Sequence, residues 1–173
     1  MRITLKSILI FLGAVFALVG FGMMFMDPLE VLAPDILNGG ALKVVGTIDW
    51  KQALLGIKEG SDSTATHTFI SFVGFVLMGA GGILGLGLAN LGTKPKVYLA
   101  SLLIGLVTVT LIACGAALAV LTETSYLAEL GIAKDSALDL VNLTTGPIIA
   151  CSAGGLGGLL ILIGSLLPCR RGK

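Results

Sequence analysis

Apolar runs without a single charged residue recur four times along the chain, at about residues 7–26, 68–91, 97–121 and 146–167. Each is long enough, as a helix rising 1.5 Å per residue, to cross a hydrocarbon layer of about 30 Å. Between the second and third runs lies only a short link holding Lys94, Pro95 and Lys96, so those two runs form a hairpin. The stretches 27–66 and 122–145 are too long to be mere connectors and are expected to hold structure of their own. The pattern predicts an all-α integral membrane protein: one domain over residues 1–173, folded as an antiparallel four-helix transmembrane bundle.

Inside the runs, small residues recur at helical spacing. Gly13, Ala17 and Gly20 share one side of the first; Ser71, Gly74, Met78, Gly81, Gly85 and Leu88 share one side of the second. The third repeats the design with Ser101, Gly105, Thr108, Ile112, Gly115 and Ala119. The fourth carries Gly154 and Gly158 on one seam and Ala153, Gly157 and Gly164 on its neighbour, which predicts a central place for it. In lipid, apolar surface gains nothing by leaving the solvent, so helices associate by close packing, and small residues let backbones approach. Serines and threonines in these runs are expected to bond back to their own helix carbonyls.

The first outer stretch holds DWKQALLGIKEG, in which Asp49 is placed to cap a short helix with Gln52 at the third helical position and Gly60 at its end. Trp50, Ala53, Leu54 and Ile57 share one face of that amphipathic helix. The stripe reads as a docking element anchored by tryptophan, or else as a lid over its own bundle. Upstream, DPLEVLAPD reads as a turn followed by extended chain, and NGG as another turn. The second outer stretch predicts a helix through Leu130, a break at Gly131 and a further short helix from Asp135 to Val141.

Composition strengthens the membrane reading: 55% of residues are hydrophobic, 12% are charged, and the mean hydropathy is +1.03, well above what a soluble core needs. Charge then orients the bundle. Arg2, Lys6, Lys94, Lys96, Arg170, Arg171 and Lys173 flank the runs at one end with no acid among them, while acids outnumber lysines in both outer stretches. The positive end is expected in the cytoplasm, with both termini there. The first run is too long for a signal peptide and lacks a small-x-small cleavage site, so it is read as an uncleaved span. Compact outer loops without cysteine point to a prokaryotic inner membrane.

The chemistry-bearing residues are sparse. Ion-coupled carriers, proton relays and intramembrane enzymes place ionisable groups inside the bilayer despite the cost, and the four runs contain none. His67 has only Asp62 near it at ligand spacing, so no metal site or cofactor is expected. Cys114, Cys151 and Cys169 read as small packing residues, and Asn142-Leu143-Thr144 as a chance glycosylation pattern. The chain is expected not to be an enzyme. It reads as a structural or accessory subunit that packs by glycine seams and docks through its outer loops, among membrane lipids, on other membrane protein subunits or copies of itself, without nucleic acid. The alternative is an oligomeric channel or carrier for uncharged or lipid-like molecules, lined by Ser71, Asn90, Ser101, Thr108 and Ser152. In outline, with both ends inside and a longer first outer loop, the layout resembles claudin-like four-span proteins. Of the tryptophan and paired cysteines that mark the claudin first loop, Trp50 alone has a counterpart.

Charge sorting makes the orientation testable. A cysteine placed at Ser61 or Ser136 reacts with an impermeant thiol reagent added outside sealed cells, and one at Thr93 does not; labelling of Thr93 would invert the bundle.

Overall fold

The computed structural model describes residues 4–35, 41–55, 68–91, 98–129 and 141–167. Four helices are long and apolar enough to cross a membrane: α1 (Leu5–Gly22, extended by a 3-10 turn over Met23–Phe25), α3 (Thr68–Leu91), α4 (Tyr98–Val120) and α6 (Thr145–Leu166). Two short helices, α2 (Trp50–Leu55) and α5 (Thr122–Glu129), and three strands, β1 (Leu29–Asp35), β2 (Ala41–Ile48) and β3 (Val141–Leu143), lie between them.

The bundle is a ring in which α1 packs on α3 and α6, and α4 packs on the same two. No helix is central, so α6 uses its two glycine seams for two neighbours while its remaining face, with Ile148, Leu156, Leu159 and Ile163, points outward. Contacts ascend along one helix as they descend along the next: Ile10, Gly13 and Gly20 of α1 meet Gly164, Gly157 and Ala150 of α6, and Gly74 and Gly81 of α3 meet Gly115 and Ile112 of α4. The interior is filled in two tiers. Ile10, Ala17, Leu88, Ala89, Ile112 and Ile161 form one, and Met24, Leu54, Phe75, Met78, Ala116, Ala119 and Ala150 form the other.

The strands depart from the all-α expectation. β1 pairs antiparallel with β2 from Leu29↔Ile48 to Asp35↔Ala41, with a bulge between Val31 and Leu32, and pairs antiparallel with β3 from Leu29↔Leu143 to Val31↔Val141. A three-stranded sheet in the order β2-β1-β3 therefore joins the two outer stretches into one layer. The segment expected as merely extended chain is its central strand. Val141, expected at a helix end, lies in β3, while the rest of that proposed helix and the NGG turn fall outside the described residues. Pro28 precedes β1, and Pro34 lies inside it beyond the stretch paired with β3, where a missing N–H does least harm to the ladder.

One further expectation changes at the end of the bundle away from the sheet. Lys6 is not a flanking charge but the second residue of α1, and it is 4% exposed. Its ammonium donates to the carbonyls of Ser165 and Leu167 at 3.4 Å each, so it serves the C-terminal turn of α6, whose last carbonyls lack partners within their own helix. Next to it, Ser7 donates to the carbonyl of Ala89 at 2.8 Å, near the end of α3. The first turn of α1 thus supplies donors to the last turns of both helices it packs against.

The glycines give a direct test. A side chain on Gly81 would meet Ile112 Cγ1 at 2.5 Å and the Thr108 carbonyl at 3.3 Å, whereas nothing lies within 4 Å of Gly87 on the same helix. Gly81→Leu is expected to destabilise the bundle by about 1–3 kcal/mol and Gly87→Leu by much less, read from thermal unfolding in detergent. Equal melting of the two variants would mean that the seam does not hold the bundle.

Candidate functional site

Of the seam residues, Gly13, Ala17, Gly20, Gly74, Gly81, Gly85, Gly105, Gly115, Gly154 and Gly158 all occupy buried positions on the inner faces of the ring. A Cβ on Gly13 would lie 2.5 Å from the Gly157 carbonyl, one on Gly20 3.0 Å from that of Ala150, and one on Gly115 2.5 Å from that of Gly74. Gly74 faces Leu118 and Ala119, Gly85 faces Ala14 and Ile161, and Gly154 faces Met78 Sδ at 2.9 Å. Gly105 leaves room for the Ser165 side chain, and Ala17 is fully enclosed. Gly158 has the loosest setting, with only Ile112 Cγ2 at 3.7 Å. Heptad reading missed Gly79 and Gly82, which stand against Phe21 and Leu18 of α1, because it follows one face of α3 while two faces carry neighbours.

The residues considered as a pathway divide between the interior and the surface of one copy. Ser71, Ser101 and Thr108 are buried, whereas Asn90 and Ser152 are exposed on the bundle surface. Thr108 donates to the Ile104 carbonyl at 2.8 Å and Ser152 to that of Ile148 at 2.8 Å, each back into its own helix. Ser71 faces the Ser125 hydroxyl at 3.5 Å, near the outer layer. Cys114 is exposed on the outer surface of α4 and Cys151 is half-buried, both free thiols; Cys169 and His67 lie outside the described residues.

The stripe expected to dock on a partner turns inward. Ala53 and Leu54 are 0% exposed. Leu54 is a member of the tier around Phe75 and Met78, and Ala53 packs with Leu29, Ile48 and Tyr126 beneath the sheet. These two side chains therefore have no surface to offer another protein. Trp50, half-buried, stacks edge-to-face on Phe25 at 5.3 Å, and Phe25 continues to Phe21 at 6.0 Å. Ile57 lies outside the described residues. Asp49 accepts from the Lys51 N–H at 3.4 Å, but Gln52 does not return the cap; its amide reaches the Tyr126 hydroxyl at 3.5 Å. That contact joins α2 to α5. Burial pushes the Tyr126 phenol above its ordinary range, and the Gln52 bond opposes the shift.

The outer layer is sewn together at Asp27. Thr47 donates to its carboxylate at 2.9 Å, Thr144 donates to its carbonyl at 2.7 Å, and the Thr144 N–H reaches the Pro28 carbonyl at 3.0 Å. Asn142, Leu143 and Thr144 are thus bound up with sheet pairing. Outside, β2 is an edge strand of the described sheet, and Leu42, Val44 and Val45 stand exposed on it.

The arrangement defines an integral membrane protein built on four spanning helices, with a mixed β-sheet and helix layer on one end. Comparison of the chain with protein families, curated proteins and solved structures finds no match in any of the three.

If α2 is a lid, its buried leucine is a core residue. Leu54→Ala is expected to cost about 2–5 kcal/mol, seen as a lower melting temperature of the isolated protein. Unchanged melting would return Leu54 to the surface.

Proposed function

We propose that the protein is a non-catalytic structural or accessory subunit of the membrane, an antiparallel bundle with both termini in the cytoplasm and the sheet outside. The observation that carries this reading is the filled interior: Ile10, Phe75, Met78, Ile112 and Ile161 are fully enclosed, so one copy is a solid post. What such a post offers is surface. The helices fix the outer layer, and the outer layer meets the partner.

Docking moves from the α2 stripe to β2. Its edge carries unpaired backbone groups among the described strands, and Val45 is 63% exposed. An edge strand of this kind takes a further strand from another chain. Lys43 is the one charge on β2, so two copies paired along this edge would add like charges, which favours an outer segment of a different membrane protein subunit.

Val44→Asp combined with Val45→Asp tests this. In mild detergent the parent is expected to copurify with a second membrane subunit, and the variant to lose it while melting within about 2 °C of the parent, since both side chains are exposed. Retention of the partner by the variant, or a parent that purifies alone, would sink the proposal.

A further inference from the structure

The end of the bundle away from the sheet holds a polar cluster whose two serine hydroxyls helix packing does not explain. Lys6 places its ammonium 5.0 Å from the centre of the Tyr98 ring and against the last carbonyls of α6. Ser101, on the same face of α4 as Tyr98 and one turn further in, and Ser165, on the last turn of α6, are each 2% exposed. Neither hydroxyl has a hydrogen-bond partner among the described residues. Buried hydroxyls left unpaired cost about 1–3 kcal/mol each, and other buried hydroxyls of this bundle, such as Thr108 and Thr122, do bond back to helix carbonyls.

The charge balance points the same way. The carbonyl end of α6 offsets only about half an elementary charge of the ammonium. Every acid in the chain lies within residues 27–62 or 123–139, in the outer stretches, so no carboxylate side chain comes from this end. Arg2, Lys94, Lys96, Arg170 and Arg171 flank the same helix ends in sequence. A buried cation is retained when an anion completes it.

We propose that Lys6, Ser101 and Ser165 form a site for a phosphate oxyanion, entering from the membrane surface at this end of the bundle. The ammonium supplies the charge and the two hydroxyls donate to the phosphate oxygens. Both hydroxyls are enclosed, so rotation of Ser165 about χ1 and a shift of the Lys6 side chain accompany binding. An acidic phospholipid headgroup and free phosphate share this chemistry.

The experiment uses the full chain in neutral, phosphate-free detergent, supplemented with phosphatidylglycerol, diacylglycerol or inorganic phosphate. Melting temperature and lipid adducts in native mass spectra are both read. Phosphatidylglycerol is expected to raise the melting temperature by about 5 °C and to remain bound, while diacylglycerol, which has the same chains and no phosphate, does neither. A rise with inorganic phosphate alone identifies the free anion as a sufficient ligand. Lys6→Gln and the double variant Ser101→Ala/Ser165→Ala should each lose most of the shift. The serine variant keeps the Lys6 contacts to α6, so it reports on the site even where Lys6→Gln does not fold. Equal response to diacylglycerol, or a serine variant that responds like the parent, would overturn the site.

Discussion

Backbone-to-backbone approach across glycine is the constraint on which everything else in this protein depends. Where Gly13 faces Gly157 and Gly74 faces Gly115, a single methyl group would sit about 2.5 Å from a carbonyl oxygen of the neighbouring helix. In water such a pair would be one contribution among many. In lipid, where apolar association has no solvent drive, dispersion between closely set helices is a principal term, and distance sets its size. The exposed leucines and isoleucines therefore contribute solubility in the bilayer, and the glycines contribute the fold.

The outer layer follows from that geometry. With the helices held in a fixed ring, the end of α1 and the start of α6 emerge side by side, which brings β1 and β3 within pairing distance. Leu29, Ile48, Ala53 and Tyr126 can then bury one another under the sheet. Leu54, next to Ala53 in the chain, reaches down from the layer into the bundle core around Phe75 and Met78. The Trp50–Phe25–Phe21 stack lies at the same level, where aromatic rings suit the boundary between lipid and water.

How much of this was legible in the sequence depends on which force left its mark. The four spans were readable to within a few residues because hydrocarbon admits no charge over that length, and most seam residues because a helix repeats every 3.6 positions. The sheet was not. Its central strand follows Pro28 and contains Pro34, its third strand is three residues long, and the pairing joins Leu29 to Leu143, a relation no local pattern records. The stripe Trp50, Ala53, Leu54 said that one face of α2 is covered, but periodicity carries no information about what covers it. Lys6 was read as a flanking charge because a lysine at the start of a helix looks the same in sequence whether its head reaches water or a neighbouring helix end. Ser101 looked like an ordinary small seam residue and Ser165 carried no signal in the sequence; hydroxyls without a partner among the described residues set both apart.

The sheet also sets an order of events during synthesis. β1 and β2 leave the ribosome early and can form a hairpin at once, yet β1 keeps its second edge open until Val141–Leu143 arrives after two more helices have entered the bilayer. Thr144 then closes on Asp27 across 117 positions of chain. A non-local closure of this kind comes late. Until it forms, the second edge of β1 stays unpaired at the membrane surface. The three residues of β3 therefore act as a seal that arrives with three spanning helices made and directly precedes the fourth.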